Sequence, residues 1–134
     1  CNKQPWRFIV VRSETGRRAL GAAYAREWFW KAPVVIAVCI LPKEAWVRSY
    51  DGKNYAMADG ARALDHLQLA AAELGLGTCW IGAFDPAAAR EILALPDGVE
   101  IVGMTPLGFP DVESNPRPRS RRPLAETVLK ERWG

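Results

Sequence analysis

The chain has 134 residues, 49% hydrophobic and 25% charged, the make-up of one globular domain with one core. A net charge of +3 is too small to argue by itself for a nucleic-acid partner. Cys1, Cys39 and Cys79 are widely spaced with a single histidine, His66, which argues against a disulfide framework or a zinc site and fits a reducing, cytoplasmic setting. The longest apolar run, 32–41, is too short to span a bilayer, so no membrane partner is expected.

The chain opens on Asn2-Lys3-Gln4-Pro5, polar and closed by a residue that cannot donate to a strand ladder. Residues 6–11, WRFIVV, are rich in aromatic and β-branched side chains and predict a strand. A turn at 13–16 leads to a predicted helix over 17–30, with Leu20, Tyr24 and Trp28 on one face. Pro33 ends it, because proline disfavours helix for the residue before it. The continuous apolar run 34–41 predicts a central strand covered on both faces. Periodicity is absent over 42–57, a polar loop carrying Trp46, Tyr50 and Tyr55, which reads as a lid, a partner-contacting segment or a pinned surface loop.

The organising stretch is 59–85. Leu64, Leu67, Ala71 and Leu74 share a helical face, and Leu69, Ala70 and Ala72 add apolar surface elsewhere, so the second half of this helix is expected to be buried nearly all round. Asp59 suits its N-cap, and Gly75 and Gly77 suit its end. Residues 78–81, TCWI, predict a short strand that breaks at Gly82, which would place free backbone N–H groups at a sheet end. Asp85 and Pro86 suit the cap and first position of another short helix, 87–95. Residues 100–107 predict a strand that Pro106 confines to an edge or bulge at its end. A proline–arginine segment, 114–123, precedes a predicted last helix over 124–133. Strands separated by helices give an α+β or α/β sheet packed by helices in one domain, 1–134.

Neither the dinucleotide glycine fingerprint nor the Walker phosphate loop is present. His66, beside Arg62 and Asp65, reads as a surface or structural residue, and Cys79, flanked by apolar residues, as a packed core thiol. No carboxylate pair has a telling spacing, so no catalytic side chain is named. Reactivity is expected to come from a cofactor that the protein orients and polarises.

Three stretches in order resemble the nitroreductase-like FMN-dependent oxidoreductases: Asn2-Lys3-Gln4-Pro5-Trp6 with RFIVV, then LAAAELGLGTCWIGAFD, then LGFP with RPRSRRPL and a terminal tryptophan. The resemblance implies a nitroreductase-like α+β fold with a mostly antiparallel or mixed sheet, and a homodimer holding FMN in sites shared between its subunits. It implies that Asn2 and Gln4 offer amides to the flavin, and that Trp80, Ile81, Gly82 and Ala83 pass along its ring with a backbone N–H directed at N5. Arg119 and Arg121 would grip the phosphate. The family's upstream Arg-x-Ser-x-Arg segment is absent from this chain, which reads as an N-terminally incomplete domain; a glutamate that some relatives carry before the flavin-facing glycine is replaced by Ile81-Gly82. The implied activity is transfer of hydride from NAD(P)H, through flavin N5, to nitroaromatic, quinone or activated-alkene acceptors. The other reading is a flavin- or partner-binding module of the same fold without turnover.

Overall fold

The computed structural model describes residues 1–111 and 120–133. Strand β1, Trp6–Val11, leads to helix α1, Glu14–Leu20, whose Ser13 hydroxyl accepts the Gly16 N–H at 3.2 Å. Helix α2, Glu27–Lys31, and strand β2, Val34–Ile40, follow. A short 3-10 turn, Pro42–Glu44, and an irregular hairpin precede the long helix α3, Ala56–Glu73. Then come strand β3, Gly77–Thr78, helix α4, Pro86–Ile92, strand β4, Glu100–Gly108, and one helical turn, α5, Leu124–Thr127.

The strands form one sheet in the order β1-β2-β4-β3, and every pairing among the described residues is antiparallel. The apolar run of β2 is central, as its composition predicts, and Val35 to Ile40 are all buried. One face of the sheet carries Val35, Ala37 and Met104, packed with Leu20, Phe29 and Ile81 from the α1, α2 and β3 side. On the other face, Ile40 meets Gly60 of α3. Between Val38 and Cys39 the β2–β4 register slips, leaving Val102 as an extra residue that also meets Gly60.

Six expectations are corrected. The helix expected over 17–30 is two helices, because the chain turns at 21–24 and Arg26 is extended. Gly21 leaves room for Trp30 to fold back on α1, with the Arg18 guanidinium 4.9 Å from the Trp30 ring, and this seats Phe29 in the core. Helix α3 begins three residues before Asp59: the Asn54 side-chain Oδ1 accepts the Ala56 N–H at 2.8 Å, and Asp59 lies in the first turn. Its second half is not buried all round in one chain, since Leu69 and Leu74 are exposed beside the buried Ala71. Its end is as expected: Gly75 has φ +73°, and the N–H groups of Leu76 and Gly75 reach back to the Ala71 and Ala72 carbonyls.

The strand expected over 78–81 shortens to Gly77–Thr78, followed by a single bridge from Ile81 to Met104. The cause is Pro106, which sits in a strand paired on both sides rather than on an edge. Lacking an N–H, it interrupts the ladder, and the Thr105 hydroxyl takes the Cys79 N–H instead, at 3.2 Å. Last, the helix expected over 124–133 is a single turn, and residues 128–133 are exposed and irregular; no residue of this tail is buried against the chain, and a short helix without such packing is marginal in water.

Candidate functional site

Pro5 is buried, and its carbonyl accepts the Leu41 N–H at 2.8 Å, which ties the first residues to the end of β2. Asn2 and Gln4 are thereby held beside the first turns of α3, with Gln4 at φ +48°. A left-handed conformation at a non-glycine residue is uncommon and costs on the order of 1–3 kcal/mol, the kind of strain that clusters at binding sites. The residues enclose a hollow of about 210 Å³, walled by Asn2, Gln4 and Trp6 on one side and Asp59, Arg62 and His66 of α3 on the other. The side-chain amides of Asn2 and Gln4 have no hydrogen-bond partner among the described residues. Their donors and acceptors are free for a ligand.

Trp80, Ile81, Gly82 and Ala83 lie at the opposite edge of the sheet, beyond β3. Ile81 faces the core, and its N–H and carbonyl are both paired with Met104, at 2.8 and 3.0 Å. That bridge anchors the turn. The Trp80 indole leans on Gly103, where a Cβ would stand 2.9 Å from Trp80 Nε1 and 3.1 Å from Leu64. Gly103 therefore makes the space in which the indole rests. Past the bridge, Gly82 and Ala83 are exposed and their N–H groups have no partner among the described residues. Asp85 closes the turn by donating its N–H to the Ala23 carbonyl at 2.9 Å, while its carboxylate accepts from Ala87 and Ala88 to start α4.

The two predicted donor sets thus lie at opposite ends of the strand order, the first ahead of β1 and the second beside β4, after β3. Helix α3 fills the space between them on that face of the sheet, through Gly60 and Leu64. Arg121 is exposed and makes no ion pair or hydrogen bond among the described residues; Arg119 lies outside them. Cys79 is exposed on the β3 edge and not a packed core thiol, whereas Cys39 is buried and burial pushes its thiol up to about 11. Sequence reasoning passed over Arg62 and His66 as part of a site. Their signal was spacing: positions 59, 62 and 66 fall on one helical stripe. No group of His, Cys, Asp and Glu among the described residues is placed to hold a metal ion, and no helix there is long and apolar enough to cross a membrane.

The model of the nitroreductase family matches residues 21–109. The chain belongs to the nitroreductase family. A nitroreductase family protein from Clostridium difficile 630 is 34% identical in sequence and superposes with a TM-score of 0.85 over 98% of this chain and 77% of that one. An NADH dehydrogenase from Thermus thermophilus is 32% identical over 96% of this chain and 76% of its own length. An FMN-dependent nitroreductase from Clostridium difficile R20291 is 25% identical, with a TM-score of 0.67 over 82% of this chain and 66% of that one. The chain has the nitroreductase fold, here a four-stranded antiparallel sheet with its helices among the described residues, an α+β arrangement. As a member of this family the chain is a flavin-type oxidoreductase by lineage.

Tested against a flavin, the chain's own groups suit it chemically. Free amides at Asn2 and Gln4 match a heteroaromatic edge that both donates and accepts. Unpaired N–H groups at Gly82 and Ala83 match an atom that gains electron density on reduction.

Proposed function

We propose that this nitroreductase-family chain is one subunit of an FMN-dependent NAD(P)H oxidoreductase that acts as a homodimer on small nitroaromatic, quinone or activated-alkene acceptors. The observation that carries the reading is the pair of unpaired donor sets at opposite edges of one sheet, with α3 between them. In a homodimer with shared sites, the Asn2 and Gln4 amides of one copy would face the Gly82 and Ala83 turn of another. Supporting the second copy is apolar surface that one chain leaves bare: Phe8 and Val10 on β1, and Leu69 and Leu74 on α3.

Bound there, FMN supplies the two-electron hydride chemistry that no side chain of this protein can perform. The protein's part is recognition and electrostatics. Asn2 and Gln4 would fix the ring edge, the Gly82 or Ala83 N–H would favour negative charge at the ring atom it faces, and Trp80, held by Gly103, would keep water from one side. Arg119 and Arg121 would hold the phosphate. The names of the relatives, an NADH dehydrogenase and an FMN-dependent nitroreductase, support both the flavin and the nicotinamide donor. Sedimentation with FMN absorbance in the same run tests it: the expected result is a dimer with about one FMN per subunit. A protein that stays colourless in excess FMN would overturn the reading.

A further inference from the structure

We propose that Gly103 is a positioning residue for the flavin ring: having no side chain, it lets the Trp80 indole lie against β4 and so keeps the space at the Gly82 and Ala83 N–H groups open. This rests on the flavin reading and names a residue that acts on the same site through Trp80. Gly103 is buried in β4 opposite Val38, directly after Val102, the extra residue of the bulge. Glycine weakens the interior of a strand and often marks a place where another group comes close. Its φ lies outside the left-handed region, so the backbone alone would admit any residue there.

What excludes a side chain is the surroundings. A Cβ at 103 would stand 2.9 Å from Trp80 Nε1, 3.1 Å from Leu64 Cδ2 and 3.3 Å from the Ile81 carbonyl oxygen. Two of these have little freedom to yield. The Ile81 carbonyl is held by the Met104 N–H at 3.0 Å, and Leu64 is fully buried in a close-packed interior. The indole is 40% exposed and makes no hydrogen bond among the described residues, so it is the group that would move. Restoring an ordinary separation of roughly 3.5–4.0 Å takes a shift of about 1 Å, enough to spoil a positioned site. The Nε1–Cδ1 edge already lies beside Gly82, 3.6 and 3.8 Å from where a Cβ would stand there. Lifted off Gly103, that edge enters the space at the turn whose two N–H groups are unpaired.

The test is fluorescence titration with FMN and with riboflavin on wild type, Gly103→Ala, Trp80→Leu and the double variant, beside fluorine NMR of the flavin-free proteins labelled with fluorotryptophan. Trp80→Leu identifies the Trp80 resonance by its loss and removes the ring atoms that a Cβ at 103 would meet. Gly103→Ala is expected to shift that resonance and to weaken both flavins about tenfold, because the ring and not the phosphate is affected. In the Trp80→Leu background the same substitution is expected to change affinity less than about twofold. Unchanged affinity in Gly103→Ala, an unshifted resonance, or an equal loss in the two backgrounds would overturn the proposal. Failure to fold in both backgrounds would also overturn it, since the crowding would then lie with the Ile81 carbonyl and not with the indole. Folding only alongside Trp80→Leu supports it. Failure of the flavin reading looks different: wild type takes up neither flavin, and the Trp80 resonance then decides the seating, in support if shifted and against if not.

Discussion

Gly60 of α3 meets Ile40 of β2 so closely that a methyl group at position 60 would stand 2.5 Å from Ile40 Cγ2, and 2.6 Å from Val102 Cγ2 on the neighbouring strand. The helix is seated on the sheet at this point, and Asp59 and Arg62 of the hollow flank it on either side. Alanine in a helix gains about 1 kcal/mol over glycine in propensity, but overpacking costs about 1–3 kcal/mol. Gly60→Ala is therefore expected to lower the denaturant midpoint; a variant as stable as wild type would show that α3 is seated elsewhere.

The ladder at Pro106 depends on one hydroxyl. Thr105 is fully buried, accepts the Cys79 N–H at 3.2 Å and donates to the Pro106 carbonyl at 3.0 Å. Thr105→Val keeps the shape and strips both bonds, leaving groups that cost about 1–3 kcal/mol when unsatisfied. The expected result is lost stability of that order and faster amide exchange at Cys79 and Ile81. Unchanged exchange there would mean that the hydroxyl does not hold the β3 edge.

In the hairpin ahead of α3, Arg48 Nε donates to Asp51 Oδ1 at 2.8 Å, Nη2 pairs with Oδ2, and Nη1 donates to the Tyr55 hydroxyl at 2.8 Å. The hydrogen bond from Arg48, followed by that from the Lys53 N–H, holds the Asp51 carboxyl below its ordinary value. A depressed carboxyl stabilises the fold above its unfolded value, near 3.9 in peptides, and that contribution is lost as pH falls through the lower folded value. The hairpin is exposed, so the effect is local. Proton exchange at Arg48, Gly52 and Lys53 amides is expected to speed up on acidification below about pH 4 relative to the β2 amides. Asp51→Asn should abolish that difference.

The cysteines are expected to separate by labelling. Cys39 is buried in β2 with its thiol pushed up to about 11, so it presents little thiolate at neutral pH, while Cys79 is exposed. Short treatment with an aromatic disulfide reagent should modify Cys79 and spare Cys39 until denaturant is added. Labelling of Cys39 in the native protein would place β2 nearer the surface than its packing allows.

The basic segment bears on the phosphate assignment. Replacing Arg119 and Arg121 together by alanine is expected to weaken FMN about tenfold or more, the loss of a charge-assisted contact worth roughly 1.5–3 kcal/mol, with riboflavin nearly unaffected. Fluorescence titration with both flavins checks it. Equal losses for the two would assign these arginines a structural role.

Much of this molecule could be read from local pattern. The central strand 34–40, the aromatic strand 6–11, the Asp85-Pro86 start of α4 and the Gly75 end of α3 each follow from residues adjacent in the chain, because burial periodicity and capping act over a few positions. The motifs that carry the family resemblance are local too. What local pattern could not decide was which neighbours arrive from afar. Cys79 and Cys39 both sit among apolar residues, yet one follows the edge strand β3 and the other lies on the inner strand β2, and only the sheet order separates them. The break between α1 and α2 was set by Trp30 finding room at Gly21, and the start of α3 by the Asn54 side chain accepting the first helical N–H, that of Ala56. The hollow of Asn2, Gln4, Arg62 and His66 came from the same source: residues some sixty positions apart meet because Pro5 is tied to Leu41 at the end of β2, beside which α3 begins. Tertiary packing also sent Gly82 to the far edge, since strand order is a property of the whole sheet and not of any stretch within it.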